Sequence, residues 1–402
     1  MIDLVLLASG ADELRIVHAF ATELPDRVRV VRRCAELTEA LAAVSAGVAD
    51  AVLVDCDVDG LDRSSVAQLM AGGTAVIGLD GGTRRAPADL GITWGIDPAA
   101  DVEQMYSTIL EAVAGADDAD AWTTDEPVDE PRGRIITVWG PAGAPGRSTI
   151  AANIAGELAR AGRRTILVDA DTDAPCQSQL LGVVDEVPGL VTAARLATSS
   201  QLTADALHRI VPEIEPNLRL LSGIGVPSRW AEVEPSALTA VLAALAREAD
   251  AVVVDIAAGL EDDDALADSL ISCRDGAAIS ALAEADEVIG VCAADPVSIT
   301  RFVREVGPLQ AITSAPVHVI INGTDRAAPE SQLQAAIAQR FTPAGITTVP
   351  RDPLVMRRAL WDGALLAEAA PRSAVRRALQ RAAEAAGERI DQHWRQAAAV
   401  PA

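Results

Sequence analysis

A glycine-rich turn between an apolar run and a helical run is the segment whose residue types best fit phosphate chemistry. It reads GPAGAPGRST at residues 140–149, after a predicted strand at 135–139 and before a predicted helix at 150–161. In such a turn, backbone N–H groups and the positive end of the helix point at a bound anion. The spacing predicts that the phosphates of a nucleotide are bound by Gly143, Gly146, Arg147, Ser148 and Thr149.

The turn departs from the usual phosphate loop, G-x-x-x-x-G-K-[ST], at two positions. Pro141 stands at the first glycine position and Arg147 at the lysine position, in a chain that contains no lysine. The planar fork of arginine is larger than an ammonium group and prefers two acceptors at once. Pro145 also removes one N–H donor from the loop. Backbone amides and a metal ion must therefore supply much of the grip on phosphate.

Aspartates close two further apolar runs of the same region. Asp169 and Asp171 follow the run 165–168, and Asp255 follows the run 251–254. The carboxyl ends of parallel strands form the ligand-binding edge of an α/β sheet. The pattern predicts a Mg²⁺ site in which Ser148 is a direct ligand and Asp255 holds the ion through water. A helix-capping role is the alternative interpretation for each aspartate alone.

Alternating strand and helix patterns must position these residues. In residues 1–114, strands are predicted at 4–8, 28–31, 51–54, 75–79 and 92–95, and helices at 13–23, 36–46, 64–70 and 101–114. The alternation resumes at 134, so the fold class is α/β with two doubly wound parallel-sheet domains. Residues 115–133 are acidic and contain proline, which predicts an extended linker. The second domain is predicted at 134–390 and a tail at 391–402.

Composition excludes several classes of protein. The formal charge of −25 argues against a general nucleic-acid binder. Five cysteines without a CxxC pair fit a reducing cytoplasm and neither a disulfide framework nor a zinc site. The N-terminus lacks the basic segment of a signal peptide, and no apolar run approaches the roughly 20 residues that span a bilayer. We therefore expect a cytoplasmic protein without a transmembrane segment.

Residues 134–379 resemble the MinD/ParA family of P-loop ATPases, whose loop reads K-G-G-x-G-K-[ST]. The resemblance is carried, in the family's order, by VDAD at 168–171, LLG at 180–182, PGL at 188–190, NLRLLSG at 217–223, DAVVVD at 250–255, ADEV at 285–288, VIIN at 319–322 and VPRD at 349–352. It implies ATP or ADP and Mg²⁺ as ligands. It also implies that Asp171 positions the attacking water, that Asp169 organises the metal shell, and that Asp255 is the Walker B acid.

The same resemblance implies that Asn322 contacts adenine and that the loop between Pro350 and Asp352 closes over the base. Ala142 occupies the position of the family's additional lysine, which reaches the partner's phosphates in ATP-sandwich dimers. Loss of a transition-state cation can cost several orders of magnitude in rate. We expect ATP binding with weak or no hydrolysis. The alternatives are an active ATPase that uses Arg147 and a scaffold that binds no nucleotide.

Residues 1–114 look like a response-regulator receiver in which Asp55 stands at the phosphoacceptor position. A receiver has acids that hold Mg²⁺ after its first strand, but Ser9 and Gly10 stand there and Asp12 comes slightly later. It also has a Ser or Thr after its fourth strand, where this chain reads DGGT at 80–83. The lysine that pairs with the phosphoryl group is missing. Because three of the four functional positions are altered, we do not expect phosphorylation of Asp55. A binding or dimerisation module is the favoured interpretation.

A degenerate receiver joined to a MinD/ParA-like domain is the layout of CpaE and TadZ, which localise pilus assembly, and of similar septum-site-determining proteins of actinobacteria. The loop GPAGAPGRS looks close to that CpaE-like group. The resemblance implies a spatial regulator or assembly factor for septum placement or for pilus or secretion assembly. Its partners would be proteins of those machineries, with a homodimer as a further state. They would recruit it to the septum, the pole or the inner face of the membrane.

The end of the chain raises two further interpretations. Arg372, Arg376 and Arg377 share a helix face, and a basic face could serve a DNA-binding partition protein. We favour a solvated helix surface, since acidic residues lie nearby, and therefore expect no specific nucleic acid as a partner. Ile390, His393, Trp394 and Val400 form a stripe too thin for a membrane anchor.

Overall fold

The computed structural model describes residues 1–8, 11–58, 61, 63–70, 73–79, 86–117, 132–183, 187–199, 201–261, 273–326 and 328–397. The chain divides into two units, Met1–Val128 and Asp129–Ala402. Ser9, Gly10, residues 80–83, Val400 and most of the predicted linker lie outside the described residues. No described helix has the length and apolar character needed to cross a membrane.

The N-terminal unit is a parallel sheet with helices on both faces. Its elements are β1 (Ile2–Leu7), α1 (Ala11–Glu23), β2 (Val28–Cys34), α2 (Leu37–Ser45), β3 (Ala51–Asp55), α3 (Arg63–Met70), β4 (Ala75–Leu79), a 3₁₀ helix (Pro87–Leu90), β5 (Trp94–Ile96) and α4 (Val102–Asp117). The strand order β2-β1-β3-β4-β5 is the flavodoxin-type order. The prediction of a doubly wound parallel sheet is confirmed here.

Apolar runs explain why the central strands form. All of Leu4–Leu7 and Ala51–Val54 are buried because helices cover both faces of the sheet. One apolar cluster lies under α1 and α4, and a second lies under α2 and α3. The weak strand predicted at 92–95 is the short β5, and a single 3₁₀ turn precedes it in the described chain.

The C-terminal unit is a larger sheet of the same class. Its elements are β6 (Arg134–Trp139), α5 (Arg147–Arg160), β7 (Thr165–Ala170), α6 (Gln177–Leu180), α7 (Gly189–Thr198), α8 (Ala204–Ile210), β8 (Glu213–Glu215), β9 (Leu218–Leu221), a 3₁₀ helix (Pro227–Glu232), α9 (Pro235–Glu248), β10 (Ala251–Ile256), α10 (Gly276–Ala283), β11 (Glu287–Ala293), α11 (Pro296–Ile312), β12 (Val317–Thr324), α12 (Glu330–Ala338), β13 (Gly345–Pro350), α13 (Pro353–Asp362), α14 (Leu366–Ala369) and α15 (Ala374–Ala397).

The order of these strands is β13-β12-β11-β6-β10-β7-β9-β8 in the described residues, with β8 antiparallel to β9 and the other pairs parallel. The second doubly wound sheet is thus confirmed, apart from that short antiparallel edge. β10 lies between β6 and β7. The carboxyl ends of these three central strands therefore meet at one edge, where the phosphate loop begins and where Asp169, Asp171 and Asp255 lie.

The last helix, α15, is part of the domain. Arg376 binds Glu157 of α5 through two hydrogen bonds, at 2.6 and 3.2 Å, and Arg389 binds Glu287 of β11. Ile390 is buried, and Trp394 packs against the apolar cluster that contains α5. Arg376 is therefore engaged in an internal ion pair, and Ile390 and Trp394 of the apolar stripe face the core. The tail boundary predicted at residue 390 falls within α15.

Candidate functional site

The loop between β6 and α5 can follow its path because glycine stands where the backbone needs it. Gly143 and Gly146 have φ of +83° and +90°, a region that strongly favours glycine. A Cβ atom on Gly140 would lie 2.5 Å from the carbonyl oxygen of Val291. One on Gly146 would lie 2.6 Å from Nδ2 of Asn322. The helix begins at Arg147, so its positive end opens onto the turn.

Arg147 folds back onto its own loop. Its Nη1 donates hydrogen bonds to the carbonyl oxygens of Gly140 at 3.0 Å and Pro141 at 3.4 Å. Its Nη2 lies 3.8 Å from Oδ2 of Asp171, and its Nε is buried without a hydrogen-bond partner. The guanidinium group therefore lies beside the loop and the predicted catalytic aspartate, and its buried Nε–H donor has no partner. A phosphate oxygen could satisfy that donor.

The residues predicted to contact the base line one cavity. Its volume is about 140 Å³. Its lining includes Gly146, Thr149, Asn322, Pro350 and Asp352. These residues come from the phosphate loop, the first turn of α5, β12, the end of β13 and the segment that joins β13 to α13. The chain thus places the predicted base-binding residues beside the predicted phosphate-binding residues, as one nucleotide site requires.

Two of these residues also shape the cavity. Asn322 Nδ2 donates a 2.9 Å hydrogen bond to the carbonyl of Pro145, which ties β12 to the phosphate loop. Oδ1 of Asp352 accepts a hydrogen bond from Val355 N at 3.1 Å and caps α13. Asp352 is therefore a helix cap, and its second carboxylate oxygen is not needed for the cap.

The strand-ending aspartates meet across the sheet. Asp255 pairs in register with Asp169 on β7 and with Val138 on β6. Burial, followed by the negative charge of Asp255, raises the pKa of Asp169 to about 8. Burial also raises the pKa of Asp255 to about 7, against hydrogen bonds from Ser148 and Gln177 that lower it. Two neighbouring buried carboxyl groups resist carrying charge together unless a cation joins them.

Asp171 lies next to this pair and is almost fully buried. Its Oδ1 accepts hydrogen bonds from the backbone N–H groups of Asp173 and Ala174, both at 2.9 Å. Its Oδ2 is the atom that faces Arg147. Half of this carboxylate thus fixes the turn after β7, and the other half faces the phosphate loop.

Gln177 was not predicted from the sequence. It begins α6, is fully buried, and donates from Nε2 to Oδ2 of Asp255 at 2.8 Å and to the carbonyl of Ser148 at 3.0 Å. Its backbone N–H also binds Oδ2 of Asp169 at 2.9 Å. This one residue connects both aspartates with the start of α5. A single glutamine has no spacing that points to phosphate or metal chemistry, and its role depends on the packing of a four-residue helix.

The oxygen atoms at this site fit a Mg²⁺ ion that is also bound by a nucleotide. Oδ1 of Asp169, Oδ1 of Asp255 and Oε1 of Gln177 are buried oxygens without a hydrogen-bond partner. Such atoms are costly unless a ligand or ion binds them. In the described residues, no cluster of His, Cys, Asp and Glu forms a metal cage by itself. Mg²⁺ typically takes one or two carboxylates plus phosphate oxygens and water, which agrees with this arrangement.

Asp55 of the N-terminal unit has different surroundings. It ends β3, is half-buried, and accepts a 2.9 Å hydrogen bond from the backbone N–H of Asp57 through Oδ1. Its neighbour in register on β4 is the apolar Leu79. In the described residues, the strand-ending aspartate of this unit thus has a local turn function and no acidic partner in register.

Comparison with known proteins agrees with the C-terminal geometry. The family model described as CobQ/CobB/MinD/ParA nucleotide binding domain matches residues 136–360. The structure of the septum-site-determining protein MinD of Pyrococcus horikoshii complexed with Mg-ADP is similar, with a TM-score of 0.52 and 23% identity over 63% of this chain and 96% of that one. Among curated proteins, none matches this chain.

Two more solved structures share the fold. The cell division ATPase MinD of Pyrococcus furiosus has a TM-score of 0.52 and 22% identity, over 64% of this chain and 99% of that one. A ParA family ATPase from Chlorobium tepidum has a TM-score of 0.53 and 19% identity, over 62% of this chain and 98% of that one. Identities this low show a shared fold and do not show a shared activity.

Proposed function

The chain belongs to the family of CobQ/CobB/MinD/ParA nucleotide-binding domains, and on that premise we propose that it is an ATP-binding spatial regulator with weak or no hydrolysis. One observation carries the proposal. Beside a glycine-rich loop at a helix N-terminus, Asp169 and Asp255 keep buried oxygens that have no partner in the described protein. A Mg²⁺-nucleotide would satisfy both the loop and these oxygens at once.

The proposed roles follow from position. Gly143, Gly146, Ser148 and Thr149 bind phosphate, and Ser148 with Asp255 holds Mg²⁺, with Asp169 in the surrounding shell. Asn322, Pro350 and Asp352 surround the base. Mg²⁺ would neutralise the charge of the phosphates and of the paired acids. Magnesium in the ADP complex of the Pyrococcus horikoshii protein supports this choice of ion by analogy.

Nucleotide titration tests the binding proposal. The full chain is titrated with fluorescent ATP and ADP, with Mg²⁺ and with EDTA. We expect saturable, Mg²⁺-dependent binding that Asp255→Ala weakens. A flat titration up to millimolar nucleotide would instead support the scaffold that binds no nucleotide.

We propose weak hydrolysis because Arg147 donates two hydrogen bonds to carbonyl oxygens of its own loop. A guanidinium group held there is poorly placed to follow charge onto a transferring phosphoryl group. The active ATPase remains the competing function, since Nε of Arg147 is unused and Asp171 lies beside it. Steady-state phosphate release of the native chain and of Asp171→Ala separates the two. Equal background rates end the enzyme hypothesis, and a rate that depends on Asp171 establishes it.

The cellular role is proposed by analogy with the MinD and ParA structures. Nucleotide occupancy would govern contacts with proteins of septum placement or of pilus or secretion assembly, and a homodimer would be one such state. We also propose a pseudo-receiver at 1–114 that resembles that of CpaE, a linker at 115–133, a nucleotide-binding domain at 134–390 and a tail at 391–402. We propose a cytoplasmic location, with recruitment to the septum, the pole or the inner membrane face.

A fluorescent fusion tests that role in cells. We expect the native chain to concentrate at the septum or the poles and Asp255→Ala to lose this pattern. A uniform distribution of the native fusion contradicts the spatial role and leaves the nucleotide proposal standing.

A further inference from the structure

A second arginine contacts the phosphate loop from a different element. Arg301 lies in the second turn of α11, and its Nη1 donates a 3.3 Å hydrogen bond to the carbonyl of Ala142. A Cβ atom on Gly143 would lie 2.6 Å from the same nitrogen. The bare glycine therefore makes room for this guanidinium group. The loop sequence gives no indication of it, because 159 residues separate the two partners.

The start of α11 is held firmly enough to place this side chain. Asp295 caps the helix by accepting from the N–H groups of Val297 and Ser298, both at 2.9 Å. The hydroxyl group of Ser298 accepts a 2.8 Å hydrogen bond from the N–H of Ala293 at the end of β11. Because β11 pairs with β6, the helix is anchored to the strand that precedes the phosphate loop.

The two arginines at the loop differ in what else holds them. Arg147 is mostly buried, faces Asp171 and contacts two loop carbonyls. Arg301 is exposed and has a long hydrogen bond to one neutral carbonyl. Within the described part of the chain, Arg301 has no ion pair with a carboxylate. A guanidinium group exchanges a carbonyl for a charged phosphate readily, since charge-assisted hydrogen bonds are stronger and often bidentate.

Position along the loop indicates which phosphate Arg301 would meet. The base cavity is lined by Gly146 and Thr149, at the end of the loop that enters α5. Ala142 and Gly143 lie earlier in the loop and do not line this cavity. A nucleotide with its base in the cavity would direct its terminal phosphate toward the other end of the loop. We propose that Arg301 binds the terminal phosphate of a nucleoside triphosphate and makes the site prefer ATP to ADP; this rests on the proposed function.

Paired affinities for two nucleotides test this assignment. The full chain and Arg301→Ala are titrated with Mg²⁺ and either ADP or a non-hydrolysable ATP analogue. We expect Arg301→Ala to weaken the triphosphate about tenfold and ADP less than about twofold, the size of one lost charge-assisted contact. Arg301→Lys keeps the charge without the fork and should recover part of the difference. Arg304→Ala, one turn further along the exposed side of α11, is the matched control and should change neither affinity.

The outcomes separate this inference from the function on which it rests. A native chain that binds neither nucleotide overturns both. A native chain that binds both, with an unchanged ratio of affinities in Arg301→Ala, overturns the inference alone. An equal loss for ATP and ADP also overturns it, because the arginine would then support the loop without contacting the terminal phosphate.

Discussion

The two units of this protein each end a central parallel strand with an aspartate, and only the surroundings distinguish them. Asp55 is half-buried, and one of its oxygens is used by the turn that follows β3. Asp255 is fully buried and has Asp169 beside it in register, and one of its oxygens has no partner. Within the described chain, Asp55 has no buried oxygen that lacks a hydrogen-bond partner, whereas Asp255 has one.

The contrast separates an aspartate that a local turn uses from one whose buried oxygen has no hydrogen-bond partner in the described chain. On β4, the residue in register with Asp55 is Leu79, whose hydrocarbon side chain adds no negative charge for a cation to neutralise. On β7, the residue in register with Asp255 is a second carboxylate, and β6 on its other side leads into the glycine loop. A Mg²⁺ ion that accompanies a nucleotide would lower the free energy of the second arrangement, because the ion would supply the missing positive charge.

The largest effect is expected at Gly146. Replacement by alanine forces a left-handed backbone on a residue with a side chain and places Cβ against Asn322. We expect Gly146→Ala to weaken ATP and ADP at least about 100-fold, since the loop must move away from its phosphate-binding shape. Fluorescent nucleotide titration measures it.

Gly162 provides the matched control at the other end of α5. Its φ is +87°, close to that of Gly146, but nothing lies within 4 Å of an added Cβ atom. Gly162→Ala therefore carries a similar backbone strain and should lower thermal stability while leaving nucleotide affinity unchanged. Equal losses of affinity in the two variants would show that general destabilisation, and no local site, explains the first result.

Gln177→Ala should produce the next largest effect. It removes the amide that connects Asp255 with the carbonyl of Ser148 and leaves both acceptors without that donor. We expect the Mg²⁺ concentration for half-maximal nucleotide binding to rise about tenfold, as when partners of metal ligands are removed. Gln179→Ala, in the same short helix but exposed, should match the native chain. If both variants match it, the amide has no role in holding the ion.

Gln177 and Arg301 mark the limit of what the sequence predicts here. Strands such as 51–54 and 75–79 were predictable because burial on both faces requires continuous apolar runs. The loop glycines and the three aspartates were predictable because their types and order are tied to phosphate and metal chemistry. The two missed residues act through tertiary placement. A buried amide and an exposed arginine carry no periodicity, and they reach the loop only after α6 and α11 have packed.

A smaller effect is expected on the stability of the folded chain when the pH is raised and the paired acids Asp169 and Asp255 lose their protons. The raised pKa values, about 8 for Asp169 and about 7 for Asp255, mean that the folded chain keeps protons that the unfolded chain has released above about pH 4. The free energy of unfolding therefore falls as pH rises from about 4 to 8 in EDTA. The charges that face Asp255 are Asp171, Arg147 and Asp169.

Asp255→Asn tests this dependence, because it keeps the shape of the side chain and removes one charge. We expect the melting temperature of the variant in EDTA to change less between pH 5.5 and 8.5 than that of the native chain, by about 2–4 °C. Asp362→Asn, at an exposed carboxylate, should keep the native slope. An unchanged slope in Asp255→Asn would mean that the pair does not resist ionisation, and the contrast with Asp55 would weaken.

The smallest effect is expected at Asp55, where the described chain already satisfies the carboxylate. Asp55→Asn keeps an oxygen that can accept from the N–H of Asp57, so stability should stay within about 0.5 kcal/mol of native. Asp55→Ala loses that acceptor and should cost about 1 kcal/mol. Urea denaturation measures both, and nucleotide affinity should be native in each. Mg²⁺-dependent uptake of a phosphoryl group from acetyl phosphate that Asp55→Asn abolishes would break the comparison, because both strand-ending aspartates would then serve phosphate chemistry.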